Sequence, residues 1–170
     1  MKLFITWLVF LVSVSSFESS VAGNNNIVIE ESNFQQLAKQ MQQENRGLVL
    51  MLHAEGCTYC EQMDTKILSP MVLSGEYDKR IFIRKLQIDD TRDVIGFSGK
   101  TVEPADISGE YNVILTPTLV FLNYKGKEVA EQMVGINTIE LFGAYLDNSI
   151  DDMMQLLQTQ QVEANKKTAQ

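Results

Sequence analysis

A short apolar run that leads directly into two closely spaced cysteines most limits how this chain can fold. Residues 48–52 are continuously apolar, which is typical of a central strand buried on both faces. Cys57 and Cys60 follow this run, and a helical pattern starts at Cys57, with Cys60, Met63 and Ile67 on one face. The pattern therefore predicts two thiols at the junction between a buried strand and a helix.

Length and charge exclude several classes of protein. The chain has 170 residues and a formal net charge of −8, which fits one acidic domain with an ordinary hydrophobic core. Because nucleic-acid binding needs a basic patch and none is visible, no nucleic-acid partner is expected. One histidine and two cysteines cannot fill the four ligand positions of a zinc site in a monomer, so no metal is expected.

The first 22 residues resemble an export signal. Lys2 precedes an apolar stretch of about 10 to 15 residues, and Ser20 and Ala22 offer the small residues of a cleavage site. An uncleaved membrane anchor and a buried N-terminal helix are the alternatives, but the stretch is shorter than the ~20 residues that span a bilayer. The absence of any Asn-x-Ser/Thr sequon gives no support to a glycosylated secretory protein. We therefore expect a periplasmic protein with a mature chain starting at residue 23.

The spacing of the cysteines favours redox chemistry over stabilisation. A disulfide between Cys57 and Cys60 closes a loop too small to remove much chain entropy. At a helix N-terminus, free N–H groups and the helix dipole favour a thiolate, which is the attacking species in disulfide exchange. We assign Cys57 as the nucleophile and Cys60 as the resolving thiol. An inert oxidised pair and a metal bridged between two copies of the chain are the alternatives.

The remaining pattern predicts one α/β domain over residues 23–158. Strands are expected near 27–29 and 80–88 and as a hairpin formed by 118–122 and 128–134. Helices are expected over about 33–43, capped by Ser32 with Gln35, and after Asn137, which caps the last helix. The helix that starts at Cys57 is expected to run to about Leu68, where Ser69-Pro70 either kinks it or ends it. An insertion at about 91–110 contains a short helix near residues 104–111. Residues 159–170 are expected to form a frayed polar tail.

Four segments give the chain a resemblance to the thioredoxin superfamily over about residues 47–158. They are the strand leading into Ala54-Glu55-Gly56-Cys57-Thr58-Tyr59-Cys60, residues 85–89, the Leu115-Thr116-Pro117-Thr118 segment with its following strand, and Lys125-Gly126-Lys127 with Val134-Gly135. Within the superfamily the chain most resembles the exported bacterial thiol–disulfide reductases of the SoxW type. The resemblance implies a thioredoxin fold, a central mixed β-sheet flanked by helices.

The resemblance also implies a substrate-binding surface around the cysteines. Pro117 should be a cis-proline that faces the cysteines, with an ordinary trans-proline at the start of an edge strand as the alternative. The backbone of Thr116 should pair with a strand of the substrate. Thr58 and Tyr59 should add contacts to substrate, with a simple exposed ring as the alternative for Tyr59.

Three departures from the family pattern affect proton transfer and redox potential. Met51 stands where cytoplasmic thioredoxins have a buried aspartate, Gly56 where they have a tryptophan, and His53 where they have another aromatic residue. Glu55 or Lys85 could move protons instead. His53 is expected to be a packed or partly exposed residue at the strand end, although a protonated imidazole there would favour a thiolate.

The resemblance implies a periplasmic enzyme that reduces disulfides in exported proteins through the Cys57–Cys60 dithiol, with no cofactor besides that pair. Its expected partners are those protein substrates and a membrane protein that donates electrons, and the chain is expected to be a monomer. A disulfide oxidase or isomerase is one alternative, and a non-catalytic module that binds client proteins is another. A copper-delivery protein fits less well, because such proteins usually space their cysteines as C-x-x-x-C with a distant histidine.

Overall fold

One mixed sheet with helices on both faces organises the chain. The computed structural model describes residues 27–136 and 138–168. The strands are β1 (Ile29–Glu30), β2 (Gly47–His53), β3 (Ile81–Gln87), β4 (Val94–Ile95), β5 (Thr101–Val102), β6 (Thr118–Leu122) and β7 (Glu128–Val134). The helices are α1 (Phe34–Glu44), α2 (Thr58–Met63), α3 (Ser69–Ser74), α4 (Pro104–Glu110) and α5 (Ile139–Thr168), with a π-helical turn (Asp64–Leu68) joining α2 to α3.

Strand pairing in the main sheet follows the order β1-β3-β2-β6-β7. β1, β3 and β2 are parallel, whereas β6 pairs antiparallel with β2, and β7 antiparallel with β6. The helical segment between β2 and β3 supplies the crossover that parallel strands require. The predicted fold class, a central mixed sheet flanked by helices, is confirmed.

The apolar run of β2 is buried on both faces of the sheet, as its sequence predicts. Val49 and Met51 pack on the side of α2, α3 and α5, in a cluster that includes Leu68 and Phe142. The alternate residues of β2 pack on the opposite side against α1 and α4, together with Phe34, Leu37, Met41, Ile107 and Tyr111. Because side chains alternate along a strand, a continuous apolar sequence serves two cores at once.

The predicted insertion forms a small hairpin followed by the predicted short helix. β4 and β5 pair antiparallel in a second sheet, which the sequence did not reveal. Ile95 N–H donates to the carbonyl of Ser32 (2.9 Å), and the Phe97 ring lies 5.2 Å from the Phe34 ring, between centroids. These contacts hold the hairpin against the start of α1, so the insertion is a packed part of the domain.

Three predicted helix boundaries need correction. The N-cap of α1 is Asn33, whose side chain accepts the N–H of Gln36, and the predicted Ser32–Gln35 capping box is wrong. The helix after the cysteines passes Pro70 and continues to Ser74, because the π-helical turn places the proline in the first turn of α3, where a missing N–H is tolerated.

The third correction concerns the C-terminal segment. A frayed tail was predicted from residue 159, but α5 continues to Thr168. The first residues of this extension are exposed and polar, and Gln161 donates to the Asn45 side chain at 2.7 Å.

Two predictions fall on residues that the structure does not describe. The export signal at residues 1–22 and the cap at Asn137 lie outside the described ranges. Within residues 27–136 and 138–168, no helix combines the length and apolar character needed to cross a bilayer.

Candidate functional site

The cysteine pair lies where β2 turns into the following helix. β2 ends at His53, and Gly56 adopts a φ of +66°, a left-handed conformation that suits glycine and lets the chain reverse sharply. Cys57 is the N-cap of α2, with its Sγ accepting the N–H of Cys60 at 3.2 Å. The junction therefore aims helix N–H groups at the first cysteine, which is where an attacking thiolate would be stabilised.

The two cysteines differ in exposure. They are joined as a disulfide, with Cys57 half-buried and Cys60 only 4% exposed. In the reduced protein, an incoming disulfide could reach the first sulfur, whereas the second sulfur faces the interior. This difference matches the assignment of Cys57 as nucleophile and Cys60 as resolving thiol, which stays a prediction.

The segment before β6 brings a polar contact to the exposed sulfur. β6 pairs with β2 so that Thr118 lies opposite Leu52, and the preceding loop therefore falls beside the cysteines. The Thr116 hydroxyl lies 3.6 Å from Cys57 Sγ, within reach of a hydrogen bond to sulfur. The Thr116–Pro117 peptide bond is cis.

Exposed side chains surround this junction. Thr58 is exposed, as is Tyr59 at 62%. Ile114 and Leu115, immediately before Thr116, are 90% and 61% exposed. These two apolar residues were not predicted from the sequence as contacts, although an apolar dipeptide in a loop before the proline segment could have indicated them. The arrangement leaves apolar surface around a half-exposed sulfur.

Charged groups lie beneath the cysteines. Lys85 Nζ is 2.5 Å from the Asp64 carboxylate, and Ser69 Oγ donates to the other oxygen of that carboxylate at 2.7 Å. His53 Nε2 is 2.9 Å from a Glu30 carboxylate oxygen. Of these charged residues, only His53 and Lys85 were proposed from the sequence.

Two of the residues predicted to transfer protons, Glu55 and Lys85, differ in their exposure to solvent. Glu55 is exposed, and its backbone N–H donates to the Asp89 carboxylate at 3.1 Å. Lys85, by contrast, is buried and paired with Asp64, a residue that was not predicted from the sequence. Helical spacing could have indicated Asp64, because a residue four positions after Cys60 lies on the same helix face.

A cavity of about 370 Å³ connects these groups. It is lined by both cysteines and by Met51, His53, Glu55, Glu61, Asp64 and Lys85, among others. A larger groove of about 560 Å³ lies between β7 and α5 and is lined by neither cysteine. Because the chemically competent side chains line the smaller cavity, we place the candidate site there.

No metal site accompanies the cysteines in the described part of the chain, where no three His, Cys, Asp or Glu side chains are grouped to bind an ion. The chemistry available to this arrangement is thiol–disulfide exchange.

Comparisons with known proteins agree with this geometry. The sequence matches the family model of the thioredoxin-like domain over residues 34–150. The solved structure of mitochondrial thioredoxin 3 from Saccharomyces cerevisiae, in its oxidised form, has 22% identity and a TM-score of 0.50, covering 74% of this chain and 94% of that one. A thioredoxin from Malassezia sympodialis has 17% identity and a TM-score of 0.52, covering 75% and 90%. At these identities the likeness is one of fold. No sequence among the curated proteins matches the chain significantly.

Proposed function

Because the chain belongs to the thioredoxin-like domain family, we propose that it is a thiol–disulfide oxidoreductase that reduces disulfides in exported proteins. The observation that carries the proposal is the asymmetric pair. Cys57 is half-exposed at a helix start, with Cys60 buried one turn further along the chain. A structural staple does not need this asymmetry, whereas a nucleophile and its resolving thiol do.

The reaction proceeds in two exchanges. In the reduced protein, the Cys57 thiolate attacks one sulfur of a substrate disulfide, and the other substrate sulfur leaves as a thiolate. Cys60 then attacks Cys57 Sγ, which releases the second substrate thiol and leaves the Cys57–Cys60 disulfide. Two electrons have passed from the protein to the substrate, so the dithiol must be regenerated by a donor. No cofactor besides the cysteine pair takes part.

The exposed surface around Cys57 supports a protein substrate. Tyr59, Ile114 and Leu115 offer apolar contact area, with Thr58 beside them. The Thr116–Pro117 segment, adjacent to the reactive sulfur, would pair with an extended strand of the substrate in the manner of β-strand addition. The acidic net charge of −8 makes nucleic acid an unsuitable partner. We propose that the protein acts as a monomer.

The compartment and the electron donor are part of the proposal. The export-type pattern of residues 1–22 and the resemblance to SoxW-type reductases support a periplasmic location. The periplasm is kept oxidising and has no thiol buffer, so a membrane protein would have to return electrons to the disulfide.

The equilibrium reduction potential of the Cys57–Cys60 pair tests this proposal. The mature protein is equilibrated in graded thiol–disulfide buffers, and reduced and oxidised forms are separated by thiol trapping. A potential near or below about −240 mV, close to the ~−270 mV of thioredoxin, is expected for a reductase. The Cys57→Ser variant serves as the control, since it keeps one thiol and should show no two-electron transition.

Two outcomes would contradict the reductase role. A potential above about −180 mV would instead favour an oxidase or isomerase. The absence of a reversible transition would favour a module that binds client proteins without exchange chemistry.

A further inference from the structure

A largely buried ion pair lines the same cavity as the disulfide and has no part in the exchange described above. The side chains of Lys85 and Asp64 are 8% and 16% exposed, and their charged atoms are 2.5 Å apart. Two charges held away from water are costly to bury, and pairs of this kind need further hydrogen bonds to be tolerated. Ser69 supplies one by donating to the second carboxylate oxygen at 2.7 Å.

The fold places both charges on the face of the sheet that carries the cysteines. Lys85 pairs in register with Met51, and both point to the side covered by α2, since alternate residues of β3 (Ile81 and Ile83) lie in the core cluster on that side. Asp64 follows Cys60 by four residues, and its backbone N–H donates to the Cys60 carbonyl. One helical turn therefore separates the carboxylate from the buried thiol, on the same helix face.

The chemistry of the resolving step needs a base at this position. Cys60 is 4% exposed, and its thiol must lose a proton before the sulfur can attack. A buried thiol has poor access to bulk water, and an anion formed there without a partner is costly. Cys60, Asp64 and Lys85 line the same cavity of about 370 Å³.

We propose that Asp64 is the proton acceptor for Cys60, an inference that rests on the proposed exchange function. In the mixed disulfide, the Cys60 S–H proton passes to the Asp64 carboxylate, directly or through water in the cavity. The Cys60 sulfur then forms a bond to Cys57 Sγ, and the bond between Cys57 and the substrate sulfur breaks. The electron pair leaves with the substrate as a thiolate. When the disulfide is reduced again, Asp64 returns the proton to Cys60.

The other ionisable groups around the cavity are less suited to this role. Glu55 and Glu61 line it but are exposed. His53 is held by the Glu30 carboxylate from β1. Lys85, the cation facing Asp64 from β3, donates to one oxygen of that carboxylate.

A two-phase reaction with 5,5′-dithiobis(2-nitrobenzoate) tests the proposal. With the reduced protein in excess, attack by Cys57 releases one coloured thiolate, and resolution by Cys60 releases the second in a unimolecular phase. In Asp64→Asn we expect an unchanged first phase. The second phase at pH 7 should slow about a hundredfold, the lower end of the range for lost general-base catalysis. Its rate should then rise about tenfold per pH unit, as expected when hydroxide replaces the carboxylate.

Two variants separate a lost base from a disturbed structure. Glu61→Gln removes a carboxylate that lines the same cavity from the adjacent turn, and it should leave both phases unchanged. Asp64→Asn combined with Lys85→Met also removes the ammonium that loses the Asp64 carboxylate in the single variant. The second phase should remain slow in this double variant.

Three results would overturn the assignment of Asp64. They are an unchanged second phase in Asp64→Asn, equal slowing in Glu61→Gln, and recovery of the wild-type rate in the double variant. Failure of the proposed function is distinct, because the wild-type protein would then lack the first phase or the second phase altogether.

Discussion

At the scale of single residues, the environment of Cys57 decides how reactive its sulfur can be. Two donors meet at this atom in the structure, the N–H of Cys60 at 3.2 Å and the hydroxyl of Thr116 at 3.6 Å. Hydrogen bonds to an anion favour the charged form, so both would stabilise a thiolate after reduction. The backbone donor belongs to the helix start, whereas the hydroxyl comes from a segment 59 residues further along the chain.

Replacing Thr116 by valine should slow the reaction of Cys57 without altering the fold. One hydrogen bond is worth about 0.5–1.5 kcal/mol, which corresponds to a loss of roughly twofold to tenfold in rate near neutral pH. Alkylation of the reduced Cys60→Ser protein by iodoacetamide measures this rate. Thr65→Val is a suitable control, because the Thr65 hydroxyl donates to the Glu61 carbonyl instead. Equal alkylation rates in Thr116→Val and its parent would show that the hydroxyl does not support the thiolate.

At the scale of elements, the inserted hairpin of β4 and β5 is held by aromatic packing. Phe97 lies against Phe34 of α1 and also against the β6–β7 turn, where a Cβ added to Gly126 would come within 2.7 Å of the ring. Gly126 also has a φ of +69°, which disfavours any other residue. The insertion therefore packs between α1 and the β6–β7 turn.

The contact between the insertion and the turn predicts unequal costs for two glycine substitutions. Gly126→Ala and Gly135→Ala share a φ of +69°, but a Cβ at Gly135 would meet no atom within 4 Å. Gly135→Ala should cost about 1–2 kcal/mol from backbone strain alone. Gly126→Ala should cost a further 1–3 kcal/mol, roughly, from overpacking against Phe97. Unfolding in urea gives both values.

A double-mutant cycle checks the cause of this difference. In a Phe97→Ala background, the extra cost at Gly126 should disappear, so that the two glycine substitutions become equivalent. If Gly126→Ala is no more costly than Gly135→Ala in the wild-type background, the hairpin does not pack against the turn as described.

At the scale of the whole molecule, α5 closes one face of the sheet and is tied to the segment before β3. Its residues Phe142, Leu146, Ile150 and Met153 are buried in the core cluster that also contains Met51. At the surface, Tyr77 donates to Asp147 at 2.5 Å, and Arg80 pairs with Asp151. These contacts hold the helix over the strands that carry the cysteine-bearing junction.

The Tyr77–Asp147 bond predicts a pH-dependent contribution to stability. Desolvation and the bond to Asp147 raise the pKa of Tyr77 from 10.0 to about 12. A pKa raised on folding means that the folded state prefers the neutral phenol. The contribution of this bond to folding stability is therefore complete below pH 10 and is lost as the pH rises to about 12.

Tyr77→Phe should therefore be less stable than the wild type by about 0.5–1 kcal/mol at neutral pH, since the bond is largely exposed. The difference should shrink as the pH rises from 10 to about 12. Urea unfolding of both proteins between pH 7 and 12 measures it. A constant difference across that range would mean that the phenolic proton is not shared with Asp147.

Much of the fold was predictable because its signals are local. The continuous apolar run of β2 indicates burial on two faces, and the turn at Lys125-Gly126-Lys127 between two apolar segments indicates the β6–β7 hairpin. The limits of α2 and α5 were less predictable. A π-helical turn at Asp64–Leu68 accommodates Pro70, and the polar end of α5 gains its contact from Asn45, on a distant segment.

The sequence by itself determined the strand, the turn and the cysteine pair, since these depend on residues adjacent in the chain. It also placed Cys60 on a buried helix face, through helical spacing alone. Only the tertiary structure decided what surrounds the sulfurs. The pairing of β6 with β2 brings Thr116 to Cys57, and the register of β3 with β2 brings Lys85 to Asp64. Such contacts arise from strand pairing between distant segments, which leaves no periodic pattern in the sequence near either partner.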